Sequence, residues 1–224
     1  MKNNILSTDS FKTENYALDA AELLRTTINE LLQRKFNISI ALSGGSSPLP
    51  IYKALSRFDL AWDRISFFMV DERCVDISDP QSNYGNIKKC LLDSVSAKSF
   101  PMVTKPGNFR VQAKQYHKLL MSELRLHRGI PQIDLVLLGM GIDGHTASLF
   151  PNTKALSNTE DYVVLNNVPQ LKTNRITMTY PLLQNANKII LLAKGKEKKA
   201  VLNNLDVNKH PIAKLLPQIF KIIN

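Results

Sequence analysis

Cysteine is scarce in this sequence, and its scarcity excludes two kinds of chemistry. Only Cys74 and Cys90 occur in 224 residues, with no C-x-x-C pair and no metal-ligand spacing. Neither a disulfide scaffold nor a metal centre is expected, and two lone thiols suit a reducing compartment. Uncharged apolar runs long enough to cross a bilayer are also missing, and the start, "MKNNILSTDSFKTENYALDA", lacks the apolar centre of a secretory signal. A soluble, cytoplasmic protein with no membrane partner is the expectation. Acidic residues are the scarcer charge, 19 Asp and Glu against 29 Lys and Arg, a formal net charge of +10. On charge alone the partners are anionic: nucleic acid, acidic membrane surfaces or phosphorylated metabolites. The basic residues are scattered, no RNA-binding or zinc-finger signature accompanies them, and "KGKEKK" at Lys194 to Lys199 reads as a solvated helix start. Nucleic acid is therefore not expected.

What is present is enough apolar material for a core, 44% hydrophobic against 21% charged, in a length suited to one domain over residues 1–224. No internal repeat or low-complexity linker divides it. Apolar residues recur at helical spacing from Tyr16 to Leu32, and "NISIALS" follows as a short buried strand running into the turn "GGSSP". Pro48 lies where a new helix can open, continuing through "LPIYKAL". "RISFFMVDER" reads as one strand, "NYGNIKKCLL" as a helix, Val111 to Leu126 as an amphipathic helix and "QIDLVLLGM" as a strand. "DYVVLNN", "RITMT" and "KIILLAKG" read as three more strands, with helical segments after the last two. Strands alternating with helices imply an α/β fold, a mostly parallel sheet with helices on both faces, Rossmann-like in layout. Ligands of such sheets gather at the carboxyl ends of the strands, where "SGGSSP", "DERC", "GIDGH" and "AKGKEKK" all fall.

Each of these loops has a bland and a chemical reading. Ser43, Gly44, Gly45, Ser46 and Ser47 make either an ordinary strand-to-helix turn or an anion cradle of backbone N–H groups and hydroxyls. No Gly-Lys-Ser/Thr follows, so this is not a nucleotide P-loop. "VDER" is either clustered surface charge or a strand end aimed into a crevice, with Arg73 fit to hold a phosphate or carboxylate or to stabilise an oxyanion. Cys74 beside it reads as a small buried residue rather than a nucleophile. Gly139, Gly141 and Gly144 fit G-x-G-x-x-G, and Asp161 lies near the distance of a ribose-binding acid. That dinucleotide fingerprint normally opens the first strand–helix unit and continues into a long helix, whereas here it comes late and Pro151 intervenes. Asp143 and His145 on the same loop make better chemical sense as a carboxylate orienting an imidazole base. His117, His127 and His210 read as structural.

Taken together, "ALSGGSSPLPIYKAL", "VDERCVDISDPQSNYGNIKKCLL" and "LLGMGIDGHTASLFP" resemble the 6-phosphogluconolactonase family, in its order and at similar spacing. "RITMTYPLL", "GKEKKAVL" and "HPIAKLLP" extend the resemblance from the first helix to about Pro217. The related glucosamine-6-phosphate deaminases share the glycine turn and the Gly-x-Asp-Gly-His loop. They typically continue with an isoleucine-alanine-phenylalanine-asparagine-glutamate run, where this chain has Thr146-Ala147-Ser148-Leu149-Phe150. The chain also stops at "FKIIN", short of the alanine-rich tail common in lactonases, which leaves its last element open.

The resemblance implies hydrolysis of 6-phospho-D-glucono-1,5-lactone in the oxidative pentose phosphate pathway, with no cofactor and no metal. It implies His145 as general base, Asp143 as its orienting partner, Arg73 as a charge-stabilising group and Asp71 as a weaker catalytic candidate. The substrate phosphate falls to the turn at Ser43, Gly44, Gly45 and Ser46, with Arg175 and Lys198. A deaminase or isomerase on the same scaffold and a non-catalytic sugar-phosphate sensor are the rival readings. A monomer or small homo-oligomer is expected.

Overall fold

Every residue of the strand Ile38–Leu42 is buried, so a layer of structure covers it on each face. The computed structural model describes residues 10–11 and 15–224. In chain order the elements are β1 (Ser10–Phe11), α1 (Tyr16–Arg34), β2 (Ile38–Leu42), α2 (Leu49–Leu55), β3 (Ile65–Met69) and β4 (Asp71–Arg73). Then come α3 (Asn83–Cys90), β5 (Lys98–Phe100), α4 (Phe109–Glu123), β6 (Leu126–His127), β7 (Ile130–Pro131) and β8 (Leu135–Gly139). The chain ends with β9 (Val163–Val168), β10 (Thr173–Met178), α5 (Tyr180–Gln184), β11 (Lys188–Leu192), α6 (Lys196–Asn203) and β12 (Ile219–Ile223).

Seven strands form the main sheet in the order β1-β12-β11-β8-β2-β3-β5, every pairing parallel. Helices surround it, as the alternation of strand and helix predicts. From β2 the chain moves outward through β3 to β5, then returns to place β8 on the other side of β2. The turns leaving β2 and β8 therefore diverge, and a crevice opens between them at the carboxyl edge, the switch point of an α/β sheet. Ser43 braces that point: its hydroxyl donates to the Leu137 carbonyl at 2.7 Å, and Tyr52 Oη–H donates to the Ser43 carbonyl at 3.0 Å.

Three sequence expectations change. "RISFFMVDER" is two strands, because Val70 leaves the main sheet: its N–H bonds Leu42 while its carbonyl accepts from Met178. The "DYVVLNN" and "RITMT" segments are not parallel strands of the main sheet. They form the β9–β10 hairpin, which with β4 makes a separate antiparallel sheet in the order β4-β10-β9. The open C-terminal element is β12, paired parallel to β11 within the main sheet. A third, two-stranded pairing joins β6 and β7. No helix among the described residues is long and apolar enough to cross a membrane.

Candidate active site

A cavity of about 570 Å³ opens where the β2 turn, the β8 loop, β4, the β9–β10 hairpin and α6 converge. It is lined by all ten residues singled out in the sequence: Ser43, Gly44, Gly45, Ser46, Asp71, Arg73, Asp143, His145, Arg175 and Lys198.

The loop after β8 makes no helix. Gly141 N–H donates to the His145 carbonyl at 2.9 Å and Gly144 N–H to the Gly141 carbonyl at 3.1 Å, closing a tight turn. Thr146 pins it to the strand end, its hydroxyl donating to the Gly139 carbonyl at 2.8 Å. Within the turn, Asp143 Oδ1 accepts the His145 backbone N–H at 3.1 Å and meets ring Nδ1 at 2.5 Å. The imidazole stacks on Phe150 with 4.0 Å between centroids. A Cβ on Gly141 would lie 2.2 Å from the ring, so only glycine leaves room for it there. Burial pushes the Asp143 carboxyl up, but the hydrogen bonds and charge of His145 outweigh it and hold the group below its ordinary value. An ionised Asp143 bonded to Nδ1–H fixes the tautomer that keeps the Nε2 lone pair free. The dinucleotide reading fails here, since no helix follows the third glycine.

Opposite lies a cluster of cations. Arg73 on β4 and Arg175 on β10 are direct cross-strand partners. Each has a buried Nε without a hydrogen-bond partner, and neither forms an ion pair among the described residues. Burial and the neighbouring Arg73 charge both pull the Arg175 pKa down. Lys198, on the first turn of α6, is half-buried, and its Nζ donates to Ser47 Oγ at 3.2 Å. Burial lowers its pKa as well. Like charges desolvated side by side cost free energy unless an anion completes them. The Ser43–Ser47 turn faces the same space, with Gly45 at φ 103, a conformation that side chains rarely adopt. Ser43 is the exception in this group, because its hydroxyl is spent on the sheet.

Alternation along β4 sends Asp71 and Arg73 to the cavity and Glu72 away from it. Glu72, fully buried, accepts the backbone N–H groups of Arg73, Asn83 and Tyr84, each at 2.7 Å. It thereby ties β4 to the amino end of α3, where a carboxylate is favoured. Ser148 and Asn83 are among the cavity residues that escaped the sequence reading. Ser148 Oγ donates to Asp71 Oδ2 at 2.6 Å, and Asn83 Nδ2 donates to the Asp71 carbonyl at 2.9 Å. Small neutral side chains in "TASLF" and "QSNYG" carry no signal that marks them as site residues. Burial pushes the Cys74 thiol up to about 12, which disfavours the thiolate that a nucleophile needs. No cluster of His, Cys, Asp and Glu suited to a metal occurs among the described residues.

Comparison with known proteins places the whole chain in a family. The family model described as glucosamine-6-phosphate isomerases/6-phosphogluconolactonase matches residues 12–222. A 6-phosphogluconolactonase of Synechocystis sp. is 35% identical over 202 residues, covering 86% of this chain and 83% of the relative. One from Nostoc sp. is 37% identical over 185 residues, covering 81% and 76% respectively. The crystal structure of a 6-phosphogluconolactonase from Shewanella baltica superposes with a TM-score of 0.84 at 27% identity, covering 98% of this chain and 97% of that one. The chain belongs to the family of glucosamine-6-phosphate isomerases and 6-phosphogluconolactonases.

Proposed function

We propose that this chain hydrolyses 6-phospho-D-glucono-1,5-lactone to 6-phosphogluconate, with His145 as general base. The observation that carries the reading is one cavity holding an Asp143-oriented imidazole and three cations without carboxylate partners. The first suits water activation; the second suits a sugar phosphate.

In the reaction, His145 Nε2 takes a proton from water as the oxygen attacks the lactone carbonyl carbon. The C=O electrons move onto oxygen, and Arg73 stabilises the resulting oxyanion or holds the substrate beside it. When the oxyanion collapses, the ring C–O ester bond breaks, and the departing alkoxide takes its proton from the imidazolium. The new carboxylic acid ionises to solvent. Asp143 keeps the ring in register and stabilises its protonated form without changing its own proton count. Gly45, Ser46, Arg175 and Lys198 hold the phosphate, whose charge close to −2 supplies what the cation cluster lacks.

A lactone is an activated ester, so a positioned base is enough for a large effect, about 10²–10⁴-fold in rate. The test is a coupled assay that makes the lactone from glucose 6-phosphate and follows acid formation above a buffer blank. His145→Ala should lower kcat by about that factor and leave KM nearly unchanged. Undiminished turnover would remove His145 as the base.

A further inference from the structure

Asp71 is a buried carboxylate, 7% exposed, on the wall of a cavity that contains two arginines and a lysine. It nevertheless forms no ion pair among the described residues. Its hydrogen bonds come from neutral groups instead. Ser148 Oγ–H occupies Oδ2 at 2.6 Å, while Oδ1 receives only the long contact from Asn83 Nδ2 at 3.4 Å. Both neighbours are themselves fixed. Ser148 N–H donates to Thr177 Oγ1 at 3.1 Å and its carbonyl accepts from Asn166 Nδ2 at 2.9 Å. Asn83 is 2% exposed and anchored through the Asp71 carbonyl.

An ionised carboxylate has about four acceptor positions, and a desolvated one left short of donors is costly. Asp71 Oδ1, with only that long contact, has acceptor capacity left for a hydrogen-bond donor in the cavity. Neither a phosphate dianion nor an ester carbonyl can supply one, and the dianion would be repelled. A sugar hydroxyl can. We propose that Asp71 recognises a ring hydroxyl of the phosphorylated lactone and sets specificity, with Ser148 and Asn83 as its positioning residues. This rests on the reading of the cavity as a sugar-phosphate lactone site. It assigns Asp71 a constant, acceptor-only role, distinct from the proton transfers of His145.

The experiment compares kcat and KM for the parent lactone and its 2-deoxy, 3-deoxy and 4-deoxy counterparts, using wild type, Asp71→Asn and Ser148→Ala. Wild type should lose about 10–100-fold in kcat/KM on at least one deoxy lactone, chiefly through KM. Asp71→Asn should lose a similar factor on the parent and nothing further on that deoxy lactone, because its amide presents N–H to the ligand when its oxygen takes the Ser148 hydrogen. Ser148→Ala keeps the charge and should lose several-fold of the discrimination, again in KM, which keeps the test open if Asp71→Asn does not fold. Equal deoxy penalties in wild type and variants, or a loss of kcat alike on every substrate, would overturn the assignment. Absence of wild-type turnover above the blank on the parent lactone would instead overturn the underlying lactonase reading, and the inference with it.

Discussion

Arg73 and Arg175 face each other as direct partners across β4 and β10, two like charges in register, neither of them in an ion pair among the described residues. Like charges directly opposite on a sheet are destabilising, so the pair is a cost that the fold carries without a ligand. On the proposed reading, the substrate phosphate held by Arg175 would offset that cost on binding. Arg175→Gln should therefore raise KM for the phosphorylated lactone about 10–100-fold and leave kcat nearly unchanged. It should also not lower the melting temperature of the unliganded protein, and it should shrink the upward shift produced by inorganic phosphate. An unaltered KM in the variant would separate the arginine pair from phosphate recognition.

How far the sequence announced this arrangement varies with the kind of signal. Helical spacing placed α1 from Tyr16, and glycine turns after buried strands marked the two loops that flank the switch point. Seven of the ten candidate residues line one cavity because they follow β2, β8 and β11 at one edge of the parallel sheet, whereas Asp71, Arg73 and Arg175 reach it from the antiparallel sheet. The small antiparallel sheet was not legible. "ISFFMV" is apolar throughout, so nothing local shows that Val70 bonds one sheet through its N–H and another through its carbonyl. The β9–β10 hairpin turns on Pro169 to Lys172 with Lys172 at φ 48, and no glycine or asparagine there advertises the reversal. Arg73 and Arg175 are far apart in sequence, and their pairing depends on that hairpin. Ser148 and Asn83 acquire meaning only beside Asp71.

Gly141 offers a test of geometry without removing any functional group. A methyl group there would lie 2.2 Å from the ring of His145 and 2.6 Å from Asp143 Oδ1. Gly141→Ala must displace the imidazole or its carboxylate partner, since the clash is with the proposed catalytic pair itself. Misplacement of about 1 Å is enough to cost roughly 10²-fold in rate. The expected outcome is a fall in kcat of that order, with near-normal KM and an unchanged circular dichroism spectrum. Wild-type kcat in a folded Gly141→Ala protein would show that the observed ring position is not the working one.

Glu72 makes the opposite prediction, an effect on stability. Its oxygens accept three backbone N–H groups and the Ser82 hydroxyl, and glutamine can replace only one of those oxygens as an acceptor. Glu72→Gln should cost about 1–3 kcal/mol. For a chain of this size that is roughly 2–4 °C of melting temperature per kcal/mol. Burial raises the Glu72 pKa above its ordinary value in spite of those N–H donors. The folded state thus binds its proton more readily than the unfolded chain. Stability contributed by this group is fully present below the unfolded pKa and falls as pH rises through the folded one. Glutamine does not titrate, so the melting-temperature deficit of the variant should shrink as pH rises through the folded pKa of Glu72. A deficit that is absent, or constant with pH, would contradict the assignment.

If Lys198 holds the phosphate as proposed, it should give binding a pH dependence. Burial lowers its pKa, so in the free protein it loses its charge at a lower pH than an exposed lysine does. A bound phosphate dianion favours the charged form and must shift that pKa back up. By linkage, affinity for a phosphorylated ligand falls as pH rises through the free-protein value of Lys198 and levels off above the bound value. The competitive inhibition constant of 6-phosphogluconate, measured upward from neutral pH, should rise on this limb. The product is the better probe because the lactone hydrolyses without enzyme. Lys198→Arg, whose guanidinium does not titrate in this range, should flatten the limb while keeping most of the affinity. Lys198→Met should weaken binding at neutral pH and also flatten the limb. An alkaline limb that persists unchanged in Lys198→Arg would assign the titration to another group and place Lys198 outside the phosphate contacts.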